Sequence, residues 1–279
     1  MRRYIVLITI LLLYRAGLQA QDTIFLLKKA ERPYLIVFLP DKNIRTDIAV
    51  IVCSGGSYGR TADEEEGVPA ARLLASKGVT AFLCDYRVPL GLTSGKDSVP
   101  FADAQRALTY IRTHSRAFGV TPSKVGMMGF SAGGHLVSTI GTHWGMDFGH
   151  QESTVSLKPD FMILIYPLIS MRTGITHEGC RRRLLGDNPE EAKINMYSNE
   201  LQVKEDTPPT YIVFSIDDPA AKVENGLLFD AALTQNMVKH RLFLYEKGGH
   251  GYGVYNSQAK IQWTDLVIPW IIKEEYKKR

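Results

Sequence analysis

The chain has few cysteines and lacks a metal-binding signature. Its 279 residues include only Cys53, Cys84 and Cys180, which is too few for a disulfide framework. Cys53 and Cys84 each end a predicted strand, and we expect those strands to be neighbours. An oxidising compartment would allow a bridge between them, but buried free thiols are favoured. No H-E-x-x-H or comparable ligand spacing is present, and we expect neither a metal nor another cofactor.

The chain also lacks a large excess of charge of either sign. Lysine and arginine number 33 against 29 acidic residues. Three of the arginines, and no acid, lie within residues 1–20, so the remainder has a net charge of about +1. No basic patch indicates nucleic-acid binding, and we expect no nucleic-acid partner.

Residues 1–20 have the pattern of a secretory signal peptide. Arg2 and Arg3 form a basic start, residues 4–14 an apolar stretch and residues 16–20 a cleavage region. The apolar stretch is short for a membrane span, although an uncleaved anchor is the alternative. No cysteine follows directly to carry a lipid. The pattern predicts a secreted or periplasmic protein with no stable membrane association after signal removal.

Strand-like and helix-like segments alternate along the rest of the chain. This alternation predicts an α/β fold with a mainly parallel central sheet and helices on both faces. We predict strands at residues 34–39, 47–53, 80–84, 124–129, 161–166, 211–215 and 242–246. We predict helices near residues 68–77, 102–118, 132–143, 223–239 and 257–273. Residues 21–279 are expected to form one domain, in which the irregular stretch 167–209 is an insertion over the sheet.

The pentapeptide Gly129-Phe130-Ser131-Ala132-Gly133 lies between a predicted strand and a predicted helix. G-x-S-x-G in that setting indicates a nucleophile elbow. Side chains in place of the two glycines would collide with neighbouring backbone, and the serine is expected in a strained conformation that exposes its oxygen. The helix that starts there directs N–H groups, that of Ala132 first, at an oxyanion formed on the serine. We therefore predict Ser131 as a catalytic nucleophile.

A serine hydroxyl needs an imidazole to take its proton and a carboxylate to orient that imidazole. After such an elbow the order along the chain is Ser, Asp or Glu, His. One later strand runs into Asp217 and Asp218, and the last runs into His250 among glycines. We predict Ser131, Asp218 and His250 as catalytic. Asp217 is the alternative acid, because either aspartate could cap the helix that follows near Val223.

The loop after the second predicted strand has small residues that let backbone N–H groups approach a substrate. It is expected to supply the second oxyanion donor, and a plain glycine turn is the alternative. Ser57 and Tyr58 in this loop are candidate substrate-binding residues.

Two further candidates for substrate binding are Glu66 and His177. Glu66 lies in an acidic run before a helix, where the helix dipole alone would explain it. His177 lies in the irregular stretch. His135 and His143, on the helix behind the elbow, are expected to have packing or surface roles.

A series of motifs occurs in order along the chain: S-G-G-S-Y, E-G, C-D-Y-R, F-A-D-A-Q-R-A, G-M-M-G-F-S-A-G-G-H-L, L-I-Y-P-L-I, L-L-G, P-P-T, D-D and G-G-H-G-Y. Together they resemble the bacterial acetyl-xylan-esterase-like branch of the α/β-hydrolases over about residues 45–272. The resemblance implies a serine esterase that releases acetyl or other short acyl groups from carbohydrate such as xylan. It also implies a triad of Ser131, Asp218 and His250, with Gly56 and Ala132 as the oxyanion hole.

Two departures from that family are visible. Ser57 stands where the family usually has a third glycine, which would narrow the acyl pocket. Ala220-Ala221-Lys222 replaces the usual valine-proline turn.

Two other functions are open. A serine peptidase of the same fold would share the triad, but it usually carries an additional domain that is not expected at this length. A non-catalytic binding protein would be expected to have lost a triad member, and none is missing. The sequence does not predict an oligomeric state.

Overall fold

The computed structural model describes residues 22–27, 31–89, 97–149 and 154–278, so the predicted signal peptide lies outside the described residues. In this part of the chain eight strands form one sheet. They are β1 (Thr23–Phe25), β2 (Tyr34–Phe38), β3 (Ala49–Cys53), β4 (Thr80–Asp85), β5 (Val125–Phe130), β6 (Met162–Ile165), β7 (Thr210–Ser215) and β8 (His240–Tyr245).

The sheet is mainly parallel, as predicted. Its strand order is β1-β2-β4-β3-β5-β6-β7-β8. Strand β2 is antiparallel to its neighbours β1 and β4, and the six strands from β4 to β8 run parallel to one another. The carboxyl ends of these parallel strands meet at one edge of the sheet, where ligands bind in open α/β sheets.

Two layers of helices enclose the sheet. The helices are α1 (Val68–Ser76), α2 (Val99–Thr113), α3 (Ala132–Thr142), α4 (Glu178–Leu185), α5 (Glu191–Met196), α6 (Glu224–Gln235) and α7 (Trp263–Ile272). The side chains of β3 alternate between two apolar clusters, Ile51 in one and Val50 and Val52 in the other. Helices α1 and α7 pack on the side of Val50, and α2, α3 and α6 on the side of Ile51. No helix in the described part is long and apolar enough to span a membrane.

The structure adds elements that the sequence did not predict. The stretch 167–209, predicted as irregular, contains α4 and α5, and β1 precedes the first predicted strand. Helix α7 begins at Trp263 rather than at residue 257. The preceding turn is held by the Gln262 amide, which exchanges hydrogen bonds with the backbone of Asn256, so the helix starts only after it.

The three cysteines are buried free thiols. Cys53 and Cys84 lie on the neighbouring strands β3 and β4 and are fully buried. The structure therefore agrees with the favoured expectation that Cys53 and Cys84 are free thiols and do not form a bridge.

Candidate active site

Ser131 occupies the turn between β5 and α3 with a φ of 51° and a ψ of −117°. A positive φ is strained for a residue other than glycine, and it is held here by the tight surroundings. A Cβ atom on Gly129 would lie 2.2 Å from the Gly133 carbonyl oxygen, and one on Gly133 would lie 2.1 Å from the Cys53 carbonyl oxygen. Only glycine fits at either position, which is the reason for the G-x-S-x-G spacing.

The loops after β7 and β8 bring an aspartate and a histidine to this serine. The Ser131 Oγ lies 2.9 Å from Nε2 of His250, and Nδ1 of His250 lies 2.7 Å from Oδ2 of Asp218. Asp218 is buried, whereas His250 is only partly covered. Three residues that lie far apart in the chain thus form one hydrogen-bonded row.

The Asp218 carboxylate determines which nitrogen of the histidine carries the proton. A carboxylate only accepts hydrogen bonds, so Nδ1 of His250 is the donor and Nε2 is left with a free lone pair. That lone pair faces the hydroxyl of Ser131. The imidazole is therefore placed to take the serine proton as a general base.

The two neighbouring aspartates have separate tasks. Oδ1 of Asp218 accepts hydrogen bonds from the N–H groups of Ala220 and Ala221, each at 2.8 Å. Oδ1 of Asp217 accepts from the N–H groups of Gly248 and Gly249 at 3.0 and 2.8 Å. Asp218 thus contacts the imidazole of His250, and Asp217 stabilises the loop directly before that histidine.

The loop after β3 lies directly beside the nucleophile. A Cβ atom on Gly55 would be 2.9 Å from the Cβ of Ser131. The next residues, Gly56 and Ser57, have φ values of 115° and 54°. Neither the N–H of Gly56 nor that of Ala132 has an acceptor among the described residues. The role of both groups as oxyanion donors remains a prediction.

Tyr58 points into the protein. Its side chain is fully buried, and its hydroxyl lies 2.8 Å from Nδ1 of His135. Nε2 of His135 donates to the carbonyl oxygen of Tyr197 at 2.8 Å, and burial lowers the pKa of His135 to about 4. The neutral His135 thus accepts from Tyr58. The tyrosine has a packing role in place of the predicted substrate contact, and His135 has the expected structural role.

Glu66 is also directed inward. It is 6% exposed, and its two carboxylate oxygens accept from the N–H of Gly55 at 2.6 Å and from the hydroxyl of Tyr166 at 3.1 Å. Burial raises its pKa, and these two hydrogen bonds partly offset the rise. The carboxylate contacts protein groups, so the predicted contact with a sugar is not the role that the structure gives it.

His177 and Ser57 lie at the edge of the loop. Nδ1 of His177 accepts a hydrogen bond from the N–H of Cys180 at 3.1 Å and caps helix α4. Arg183 of the same helix donates to the carbonyl oxygen of Ser57 at 3.3 Å. Helix α4 therefore lies next to the loop after β3. His177 and Ser57 are both partly exposed, and contact of either residue with a substrate remains a prediction.

Tyr166 is the site residue that the sequence did not predict. It follows β6 directly with a φ of 37°, and its ring lies 4.8 Å from that of His250, centroid to centroid. Its position could have indicated a role in the site, because Tyr166 directly follows a strand at the edge of the sheet where the catalytic loops meet. No group of three or more His, Cys, Asp or Glu that could hold a metal occurs among the described residues.

Residues 35–233 match the BD-FAE family. The chain belongs to this family. It is 31% identical over 235 residues to endo-1,4-beta-xylanase B of Butyrivibrio fibrisolvens, covering 83% of this chain and 36% of that protein. It is 31% identical over 223 residues to an acetylxylan esterase of Xylanibacter ruminicola, covering 78% of this chain and 43% of that protein. The chain thus spans less than half the length of either of these relatives.

A solved structure gives a match over nearly the full length of both chains. The acetyl ester-xyloside bifunctional hydrolase from Caldicellulosiruptor lactoaceticus superposes with a TM-score of 0.82 at 32% identity, covering 92% of this chain and 97% of that one. With the sheet order above, this match confirms the predicted α/β-hydrolase fold.

Proposed function

We propose that this BD-FAE family member is a serine esterase that hydrolyses short-chain acyl esters, acetyl esters above all, on carbohydrate such as xylan. The observation that carries the proposal is the row from the Ser131 Oγ through both ring nitrogens of His250 to the Asp218 carboxylate, at 2.9 and 2.7 Å. The acetylxylan esterase and the acetyl ester-xyloside hydrolase among its relatives support the choice of substrate.

In the first half of the reaction, Nε2 of His250 takes the proton of Ser131 as its oxygen attacks the acyl carbonyl carbon. The carbonyl oxygen becomes negatively charged and is stabilised by the N–H groups of Gly56 and Ala132. Asp218 stabilises the imidazolium. His250 then gives the proton to the departing sugar oxygen, and the acyl group remains on Ser131.

In the second half, water replaces the sugar alcohol. His250 takes a proton from this water as it attacks the acyl carbonyl, and the same N–H groups stabilise the second oxyanion. Collapse of the intermediate breaks the bond to Ser131, whose oxygen recovers its proton from His250. The products are the free acid and the sugar hydroxyl, and no cofactor takes part.

The decisive test of the nucleophile is Ser131→Ala, measured with nitrophenyl acetate. Loss of a triad nucleophile lowers kcat by a factor on the order of 10⁶. Ser76→Ala is a matched control, because Ser76 is exposed and its hydroxyl donates to the carbonyl oxygen of Leu73. Substantial hydrolysis by the Ser131 variant would contradict the assignment.

The substrate class needs its own experiment. We expect acetate release from acetylated xylan and a fall in kcat/KM from acetyl to butyryl to octanoyl nitrophenyl esters. Cleavage of an aminoacyl nitroanilide in preference to these esters would instead indicate a peptidase. Absence of all hydrolysis would indicate a binding protein on the same scaffold.

The proposed location is the cell exterior or the periplasm, as for an enzyme acting on polysaccharide. Expression of the full chain in a bacterium and sequencing of the amino terminus of the exported protein tests this point. A start near residue 21 is expected, and retention of residues 1–20 in the cytoplasm would contradict it.

A further inference from the structure

We propose that Glu66 is a positioning residue whose buried carboxylate fixes the loop of oxyanion donors relative to the loop that carries His250. This inference rests on the proposed esterase function. Glu66 is 6% exposed. Its neighbour Glu65 pairs with Arg60 at the surface, whereas no ion pair reaches Glu66 within the described residues. A buried carboxylate without a cation is costly, and the two hydrogen bonds to Glu66 offset part of the cost of burying its charge.

The first oxygen of Glu66 holds the loop after β3. Oε2 accepts from the N–H of Gly55 at 2.6 Å, and the carbonyl oxygen of Gly55 accepts from the N–H of Ala62 at 3.1 Å. The Gly55 backbone is therefore fixed on both sides, and it lies so near Ser131 that a Cβ atom on Gly55 would be 2.9 Å from the Ser131 Cβ. Gly56, the proposed oxyanion donor, is the next residue in the chain. Because its N–H and the carbonyl of Gly55 belong to the same planar peptide group, the hydrogen bond from Ala62 restricts the direction of that N–H.

The second oxygen of Glu66 is linked to the loop that carries His250 by hydrogen bonds through one tyrosine. The hydroxyl of Tyr166 donates to Oε1 of Glu66 at 3.1 Å and accepts from the N–H of Gly253 at 3.0 Å. The carbonyl oxygen of Gly253 accepts from the Trp263 ring at 3.0 Å. Because the Tyr166 ring also packs against His250, the same side chain supports both the base and the loop behind it.

These contacts need two acceptors on one side chain. A carboxylate supplies both, whereas glutamine of nearly the same shape supplies one acceptor and one donor. With glutamine, the amide oxygen faces Gly55 and the NH₂ group faces Tyr166, whose hydroxyl loses its acceptor and can only accept from that NH₂ group. Glu66→Gln therefore changes the anchoring of the loops while it leaves the packing volume unchanged.

The experiment compares Glu66→Gln with Glu65→Gln, the same chemical change one residue away on the surface. Two rates are measured: kcat and KM with nitrophenyl acetate, and the second-order rate of serine labelling by an alkyl fluorophosphonate. We expect Glu66→Gln to lower kcat and the labelling rate by about 10-fold to 10²-fold, since small displacements of oxyanion donors have effects of this order. KM should stay within about threefold, and Glu65→Gln should match the wild type.

A second variant tests the link to the histidine loop. Tyr166→Phe removes only the hydroxyl, and we expect it to lower kcat as well. Because both changes break the same connection, the double variant should be clearly more active than independent effects would give. The unfolding midpoint of Glu66→Gln should change little, because the lost hydrogen bond destabilises the fold whereas the neutral side chain is easier to bury.

Three outcomes overturn the inference while the esterase proposal stands. They are wild-type rates for Glu66→Gln in both assays, a loss of its activity only in proportion to its loss of folded protein, and an equal loss of activity in Glu65→Gln. A wild type that neither hydrolyses esters nor reacts with the fluorophosphonate refutes the proposed function itself, and the inference with it.

Discussion

The two oxygens of the Asp218 carboxylate have different partners, and this difference predicts the effect of Asp218→Asn. Oδ1 accepts from two backbone N–H groups, those of Ala220 and Ala221. An asparagine must place its carbonyl oxygen there, because an amide nitrogen facing two donors would leave both N–H groups unpaired. Its NH₂ group then faces Nδ1 of His250 and donates to it.

The consequence is the wrong tautomer of His250. When Nδ1 accepts, the ring proton sits on Nε2, which faces the hydroxyl of Ser131 and has no lone pair to take its proton. Such a change in a serine triad lowers kcat by about 10⁴, which corresponds to about 5 kcal/mol in the activation barrier. Since asparagine retains both backbone hydrogen bonds, we expect the unfolding midpoint to change little.

The assay is the initial rate with nitrophenyl acetate, and Asp217→Asn is the matched control. Oδ1 of Asp217 accepts from the N–H groups of Gly248 and Gly249, and an asparagine oxygen can accept the same two bonds. We expect this variant to retain activity within about threefold, since it removes no contact to the imidazole. An equal loss in both variants, or a tenth of the wild-type rate retained by Asp218→Asn, would refute the reasoning.

Two further predictions concern stability. Gly133→Ala should destabilise the fold by about 3 kcal/mol or more, because its Cβ would lie 2.1 Å from the Cys53 carbonyl oxygen. In the control Gly145→Ala the added Cβ meets no atom within 4 Å, so this variant should have a melting temperature close to that of the wild type. Equal melting temperatures of the two variants would contradict the prediction. Burial lowers the pKa of His135 to about 4, below its value in the unfolded chain. The neutral ring therefore contributes roughly 3 kcal/mol to the free energy of unfolding above pH 6.5, and this contribution is lost as the pH falls toward 4. The free energy of unfolding in urea should fall less from pH 7 to pH 4.5 for His135→Gln than for the wild type. An equal fall in both proteins would contradict the role given to His135.

The parts of the fold that the sequence predicted are those set by local pattern. Strand β3, for example, is an uninterrupted apolar run, and such a run between two turns has few alternatives to a buried parallel strand. The elbow is predictable for a different reason: its motif lies between a strand and a helix, and the collision at Gly129 is with the Gly133 backbone four residues later, although the collision at Gly133 is with Cys53 of β3. Helices α4 and α5 were not predicted, because a stretch rich in arginine and glutamate carries little apolar periodicity.

Side-chain direction is the part that local pattern did not determine, and Tyr58 shows why. A tyrosine in a glycine-rich loop can point to the substrate or to the core with the same sequence around it. In the structure the choice follows from the φ of 56° at Tyr58 and from the acceptor that His135 offers. The acceptor comes from a helix 77 residues later in the chain, so no window around the tyrosine contains the deciding information.

Glu66 was missed as a structural residue for a related reason. Glu64, Glu65 and Glu66 form one acidic run, and a helix dipole accounts equally well for all three. The run adopts a single π-helical turn, Asp63–Gly67, which buries Glu66 and leaves the other two exposed. Gly67 lets the turn lie close to β4, because a Cβ there would lie 2.5 Å from the Leu83 side chain. Glu66 differs from the first two glutamates in its partners, the N–H of Gly55 and the hydroxyl of Tyr166, and both partners lie outside the acidic run.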